Sequence, residues 1–130
     1  MDHLKPILPV ALWLVVCSYI GGIWYLSNQG AAVTRKVDAA GVSDFAAHSI
    51  LFGGLSLCVF LAMWATWPQK PWIWFAAISV AGAFTYGLVD EFHQSFNPQR
   101  GADVGDVLAN LAGAAGVQVV IAVIMRLRRG

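Results

Sequence analysis

Four stretches of about twenty apolar residues divide this chain. That is the length a helix rising roughly 1.5 Å per residue needs to cross about 30 Å of hydrocarbon. The first runs from Ile7 to Leu26 and the second from Phe45 to Trp67. The third opens at Trp72, is apolar through Val89 and continues to Phe96; the fourth starts at Val104, is apolar from Val107 and ends at Met125. Apolar residues make up 58% of the 130 residues and charged residues only 12%, against about 25% charged in an ordinary soluble domain. A small soluble protein has more surface per unit volume than a large one, so it needs more charge, not less. The expected fold class is therefore all-α, an integral-membrane four-helix bundle forming one domain over residues 1–130. Helical periodicity decides nothing further, because the four segments are apolar nearly all round. A net charge of +1 gives no electrostatic reason to bind nucleic acid.

Punctuation supports the segmentation. Trp64 and Trp67 close the second span, Trp72 and Trp74 open the third, and Pro68, Gln69, Lys70 and Pro71 lie between them. This reads as a tight hairpin at one water interface, with Trp24 and Tyr25 marking the opposite one. The first span is too long for a signal-peptide core and no Ala-x-Ala site follows, so an uncleaved helix is expected. Cys17 and Cys58 lie inside apolar runs at a spacing that fits no zinc or redox pattern, and read as free core cysteines. Placing both termini in the cytoplasm puts Lys5, Lys70, Arg126, Arg128 and Arg129 inside and Arg35, Lys36 and Arg100 outside. The Arg126-x-Arg128-Arg129 cluster after the last span weighs most in that orientation.

Four crossings put the first and third loops on one side, and there the acids collect. Every Asp and Glu except Asp2 falls in or beside these two loops, together with His48 and His93. Asp44 and His48 share a face at the start of the second helix, as do Asp90 and Gln94 at the end of the third. Pro98 disfavours helix at Asn97, so the third helix is expected to run through Phe96, leaving Asp90 and Glu91 one to two turns inside. Asp103, Asp106 and Asn110 form one stripe at the start of the fourth. Each group also has a plain structural role open to it. Asp103 and Asp106 suit a helix start, Arg100 suits an interfacial cation, and Asp44 suits a local bond to His48. Asp38 and Glu91 suit edge charges, His93 suits the interface, and Asn110 and Gln118 suit helix–helix contacts. Taken together, so many ionisable groups at membrane depth read as a site, because charge there is costly and usually faces a polar interior. Ala109-x-x-x-Gly113, Ala112-x-x-x-Gly116 and Gly53-Gly54 are small-residue positions where helices can pack closely.

The run from Tyr86 to Arg100, with Asp-Glu-x-x-Gln at residues 90–94, followed by Asp103, Asp106, Asn110 and Gly113, resembles the VanZ-like family. Asp-x-x-x-His at residues 44–48 and the end of the first span near Leu26-Ser27 extend the resemblance along the chain. It implies a four-helix membrane protein and, for the family's namesake, reduced susceptibility to a glycopeptide antibiotic acting outside the cytoplasmic membrane. It assigns the candidate ligand-binding residues Asp44, His48, Asp90, Glu91, Gln94, Arg100, Asp106 and Asn110. Phe45 stands where the family usually has Lys, which removes a cation. Gln99 stands where Gly often precedes the Arg, which makes that turn less permissive.

Two classes of function follow. In the first, an outward-facing pocket binds or modifies an anionic cell-envelope component, such as a lipid-linked phosphate or a peptidoglycan-related carboxylate. Arg100 would clamp the anion and His48, oriented by Asp44, would hydrogen-bond it or move a proton. Asp90, Gln94, Asp106 and Asn110 would position these groups or hold a divalent ion through oxygen. In the second, the polar network only locks helices together and the protein acts by binding a membrane partner. No Gly-x-Ser-x-Gly, His-Glu-x-x-His or P-loop pattern marks a reaction. The sequence specifies neither cofactor nor oligomeric state. A proton pathway fits less well, because the other halves of the helices carry no chain of ionisable residues.

Overall fold

The computed structural model describes residues 7–98 and 101–128 and is built from helices alone among them. Four long helices, α1 (Ile7–Asn28), α3 (Asp44–Thr66), α4 (Trp72–Gln94) and α5 (Val104–Leu127), are each long and apolar enough to cross a membrane. A short helix, α2 (Ala31–Ala39), lies between the first two. Lys5, Gln99, Arg100 and Arg129 fall outside the described residues.

The helix ends obey local rules. Pro9 sits in the first turn of α1, where the backbone N–H groups have no intrahelical partner, so it breaks nothing. Ser43 caps α3, its hydroxyl accepting the Ala46 N–H at 3.2 Å. Pro68 keeps Trp67 out of the α region and α3 stops at Thr66. Asp103 caps α5 by accepting the Gly105 N–H at 2.7 Å. α4 ends at Gln94, two residues short of the expected Phe96. The chain continues instead as a tightened turn, with Phe96 N–H bonded to His93 and Asn97 N–H to Gln94.

α2 corrects the expectation of a plain first loop. Nine residues are too few for a stable isolated helix; this one is held by its surroundings. Val33 and Val37 share a face and are half-buried, while Arg35, Lys36 and Asp38 are exposed. At its C-terminus Gly41, at φ 73, lets its own N–H reach the Asp38 carbonyl while the Val42 N–H reaches that of Val37. That double bond closes the helix with a left-handed residue.

α3 is the central helix, packed along α5 and flanked by α4 and α1. Its Phe52, Leu55 and Ala62 are almost wholly buried and cluster with Ala83 of α4 and Ala114 of α5, while Phe60 packs edge-on against Phe75 of α4. The α3–α5 contact is close because glycines face it. A Cβ on Gly53 would meet the Gly113 carbonyl at 3.1 Å, and one on Gly113 would collide with the Ser49 backbone. Ser49 and Ser56 donate to the Ala109 and Ala114 carbonyls, each at 3.1 Å, and Gln118 Nε2 donates to Ser56 Oγ at 2.8 Å. α1 is tied on by Trp13 Nε1 donating to Thr66 Oγ1 and by the Tyr86 hydroxyl donating to the Ile20 carbonyl, both at 3.0 Å. Leu14, Ile50, Ile73, Val119 and Leu127 face outward, as a bundle in lipid requires because no hydrophobic penalty applies there. Cys17, expected in the core, is one of these exposed residues; Cys58 is half-buried.

Candidate functional site

The start of α3, the end of α4 and the start of α5 meet where the loops α1–α3 and α4–α5 lie, and the acidic residues meet with them. His48 enters from the second turn of α3 and is 6% exposed. Its Nδ1 lies 3.0 Å from Asn110 Oδ1. A carbonyl oxygen only accepts, so Nδ1 carries the hydrogen and donates it. In the neutral ring Nε2 then bears the lone pair. Nε2 stands 3.6 Å from Asp106 Oδ2, too long for a good hydrogen bond. Asp106 and Asn110 are four residues apart on α5, so one helical face supplies both neighbours of the imidazole.

Glu91 completes this group. It is 3% exposed and its Oε2 accepts the Asp103 N–H at 3.1 Å, joining α4 to the start of α5. His48, Glu91 and Asp106 each offer one donor atom, and these atoms all lie within 4.8 Å of one another. Two carboxylates this close repel each other, and a positive charge between them would offset that repulsion.

Asp90 points elsewhere. Consecutive residues of a helix are about 100° apart around its axis, so Asp90 and Glu91 face different neighbours. Asp90 is 2% exposed and accepts from Gln94 Nε2 at 2.9 Å. Both line a cavity of about 360 Å³ with Ser27, Asp44 and His48 on its polar side. Ile23 and Leu26 of α1, Val33 and Val37 of α2, and Leu51 and Phe52 of α3 form its apolar side. His48 belongs to both the cavity and the cluster with Glu91 and Asp106. Among the described residues, Asp90 Oδ1, Glu91 Oε1, Gln94 Oε1 and Asn110 Nδ2 are buried without a hydrogen-bond partner. Gly87 of α4 leaves room for Asn110, since a Cβ there would stand 2.8 Å from Asn110 Nδ2.

The residues chosen from the sequence thus fall into two adjoining groups. Asp44, His48, Asp90 and Gln94 line the cavity, and His48, Glu91, Asp106 and Asn110 cluster behind it. Arg100 lies outside the described residues. Three expectations change. His48 turns its nitrogens to Asn110 and Asp106, not to Asp44. Glu91 is buried inside the cluster and is no edge charge. Of the four groups expected to position the others or hold a divalent ion through oxygen, only Asp106 joins the converging donors; Asp90 and Gln94 bond each other, and Asn110 takes a positioning role against the imidazole. His93 is half-buried and stacks on Trp24, with ring centroids 4.1 Å apart. The sequence reading overlooked Ser27 and the two α2 valines. Val33 and Val37 carried a signal in their i, i+4 spacing between Gly30 and Gly41; Ser27 carried none.

Four apolar spanning helices with a polar recess at one end define a multi-pass membrane protein. Residues 8–126 match the VanZ/LLP1 family, so nearly the whole chain is covered and the protein belongs to that family. Comparison with curated proteins and with solved structures gave no match.

Proposed function

We propose that this protein sits in the cell membrane with both termini cytoplasmic, and that its cavity takes an anionic amphiphile of the cell envelope from the outer side, a lipid-linked phosphate in particular. The observation that carries this reading is the cavity's divided lining. One side is formed by Ile23, Leu26, Val33, Val37, Leu51 and Phe52, and the other by His48, Asp90, Gln94, Ser27 and Asp44. An apolar chain suits the first and a polar headgroup the second. A free peptidoglycan carboxylate would leave the apolar side unused. Carboxylates on the polar side call for a cation beside the anion. Arg100, three residues before Asp103 in sequence, is the candidate, since a guanidinium can bond phosphate in a bidentate way. Sequestering or altering such a component is the route by which the protein would bear on glycopeptide susceptibility.

The test is binding of a labelled polyprenyl phosphate to the full chain in phosphatidylcholine nanodiscs, with phosphatidic acid as competitor. Arg100→Ala and His48→Ala should each weaken binding at least about 10-fold, the scale of one charge-assisted hydrogen bond, with the melting transition retained. Absent binding, or binding indifferent to both changes, rejects the reading, and equal competition by phosphatidic acid rejects the polyprenyl source. A reporter fused to the C-terminus and found outside the cell rejects the orientation.

A further inference from the structure

We propose that His48, Glu91 and Asp106 form a metal centre for a divalent first-row transition ion, with zinc favoured. Metal coordination stands by itself; only its pairing with a headgroup phosphate rests on the reading of the cavity given above.

The donor geometry is the first support. Two donors each about 2.1 Å from one ion stand roughly 3.4 Å apart at a tetrahedral angle. His48 Nε2 and Asp106 Oδ2 are 3.6 Å apart, a separation that serves a direct hydrogen bond poorly and a shared ion well. The Glu91 donor lies within 4.8 Å of both, so a small side-chain rotation would bring it onto the same ion. The second support is the imidazole's orientation. Ligating histidines almost always donate their other ring N–H to a carbonyl or carboxylate, which fixes the tautomer. Asn110 Oδ1 receives His48 Nδ1–H in this way, leaving Nε2 directed at the carboxylates.

Burial supplies an independent observation. Glu91 is 3% exposed, and its Oε1 has no hydrogen-bond partner among the described residues. A buried carboxylate oxygen without a donor is costly in low-dielectric surroundings, and an ion held between the two acids removes that cost. The donor set selects the metal. One imidazole with two carboxylates is poor for Mg²⁺ and Ca²⁺, which take oxygen only, and suits zinc or manganese, with zinc the tighter by the general affinity order. Three protein ligands leave coordination positions open. Because His48 also lines the cavity, an anionic oxygen entering there could take one, and the acid-rich wall would attract the anion through the ion.

The experiment uses the full chain in detergent, stripped with chelator and titrated with Zn²⁺ alone, read by calorimetry and by zinc-edge X-ray absorption. One Zn²⁺ per chain, in an oxygen/nitrogen shell that includes one imidazole, is the expected result. Glu91→Gln and Asp106→Asn should each weaken binding more than about 100-fold. Asn110→Ala, which acts only through His48, should weaken it about 10- to 100-fold, and Asn110→Asp, which restores an acceptor, should recover most of that loss. No Zn²⁺ bound, a sulfur in the shell, or affinity unchanged in all four variants overturns the proposal. The X-ray spectrum of the unaltered protein decides the matter even where a variant does not fold. Zn²⁺ binding without polyprenyl phosphate binding leaves the centre standing and removes the anion reading; the reverse result removes the centre alone.

Discussion

The middle of the bundle and its acid-rich end both carry polar side chains between helices, but they use them differently. Between α3 and α5, from Ser49 beside His48 to Ser56 and Gln118 near the helix midpoints, the side-chain donors are all spent on carbonyl or hydroxyl acceptors across the helix contact. Among the described residues, the buried side-chain atoms there without a hydrogen-bond partner are Gln118 Oε1 and, on α4, Ser79 Oγ, both uncharged. At the acid-rich end, four atoms on Asp90, Glu91, Gln94 and Asn110 are buried without partners among the described residues. A satisfied polar group inside a membrane protein holds helices together. An unsatisfied one costs about 1–3 kcal/mol, more if charged, and marks a place built for something other than stability. The middle is therefore a clasp and the end a site.

The largest effect is expected at the clasp. Gly113→Ala puts a methyl group into the Ser49 backbone, which cannot swing aside as a side-chain tip would. Overpacking of this kind costs about 1–3 kcal/mol, and a value at the top of that range is expected. Thermal unfolding in detergent should show the loss, while Zn²⁺ stays bound to the folded fraction. An unchanged melting temperature would mean that the two helices do not depend on this contact.

What the sequence disclosed follows the same division. The spans were legible because bilayer thickness fixes helix length and because Pro68 and Pro71 with four tryptophans mark the hairpin. Gly53 and Gly113 were legible as small positions, though not as partners. α2 was not foreseen: its nine residues mix Val33 and Val37 with charged neighbours and depend on docking. At the site, local spacing misled where tertiary contact decided. The i, i+4 relation of Asp44 to His48 is visible along the chain, whereas the bond from His48 to Asn110 joins positions 62 residues apart. Asp90 and Glu91 were both read as lying one to two turns inside the helix end, with a solvated edge charge as the plain alternative for Glu91. The bundle buries both, because neighbours in sequence face different helices.

The site end makes the opposite prediction on stability. Asp90→Asn removes a buried charge yet keeps a carbonyl to accept from Gln94 Nε2, so the melting transition should rise. The expected gain is about 1–2 kcal/mol, the lower part of the cost of an under-partnered buried group. Polyprenyl phosphate binding should fall in the same variant. A variant destabilised by the change would assign Asp90 to the clasp's kind of role and remove it from the cavity's function.

The smallest effect sharpens the contrast from the other side. Gln118→Leu discards two bonds to Ser56 but also removes the unpartnered Oε1, and Ser56 Oγ keeps its own acceptor at Ala114. Interhelical hydrogen bonds in membrane proteins average about 0.6 kcal/mol, so a loss of that size is expected in detergent unfolding. Zn²⁺ and phosphate binding should not change, because Gln118 belongs to neither the cavity nor the converging donors. Weakened binding here would show that the clasp sets the geometry of the acid-rich end, and the two regions would then have to be treated as one network.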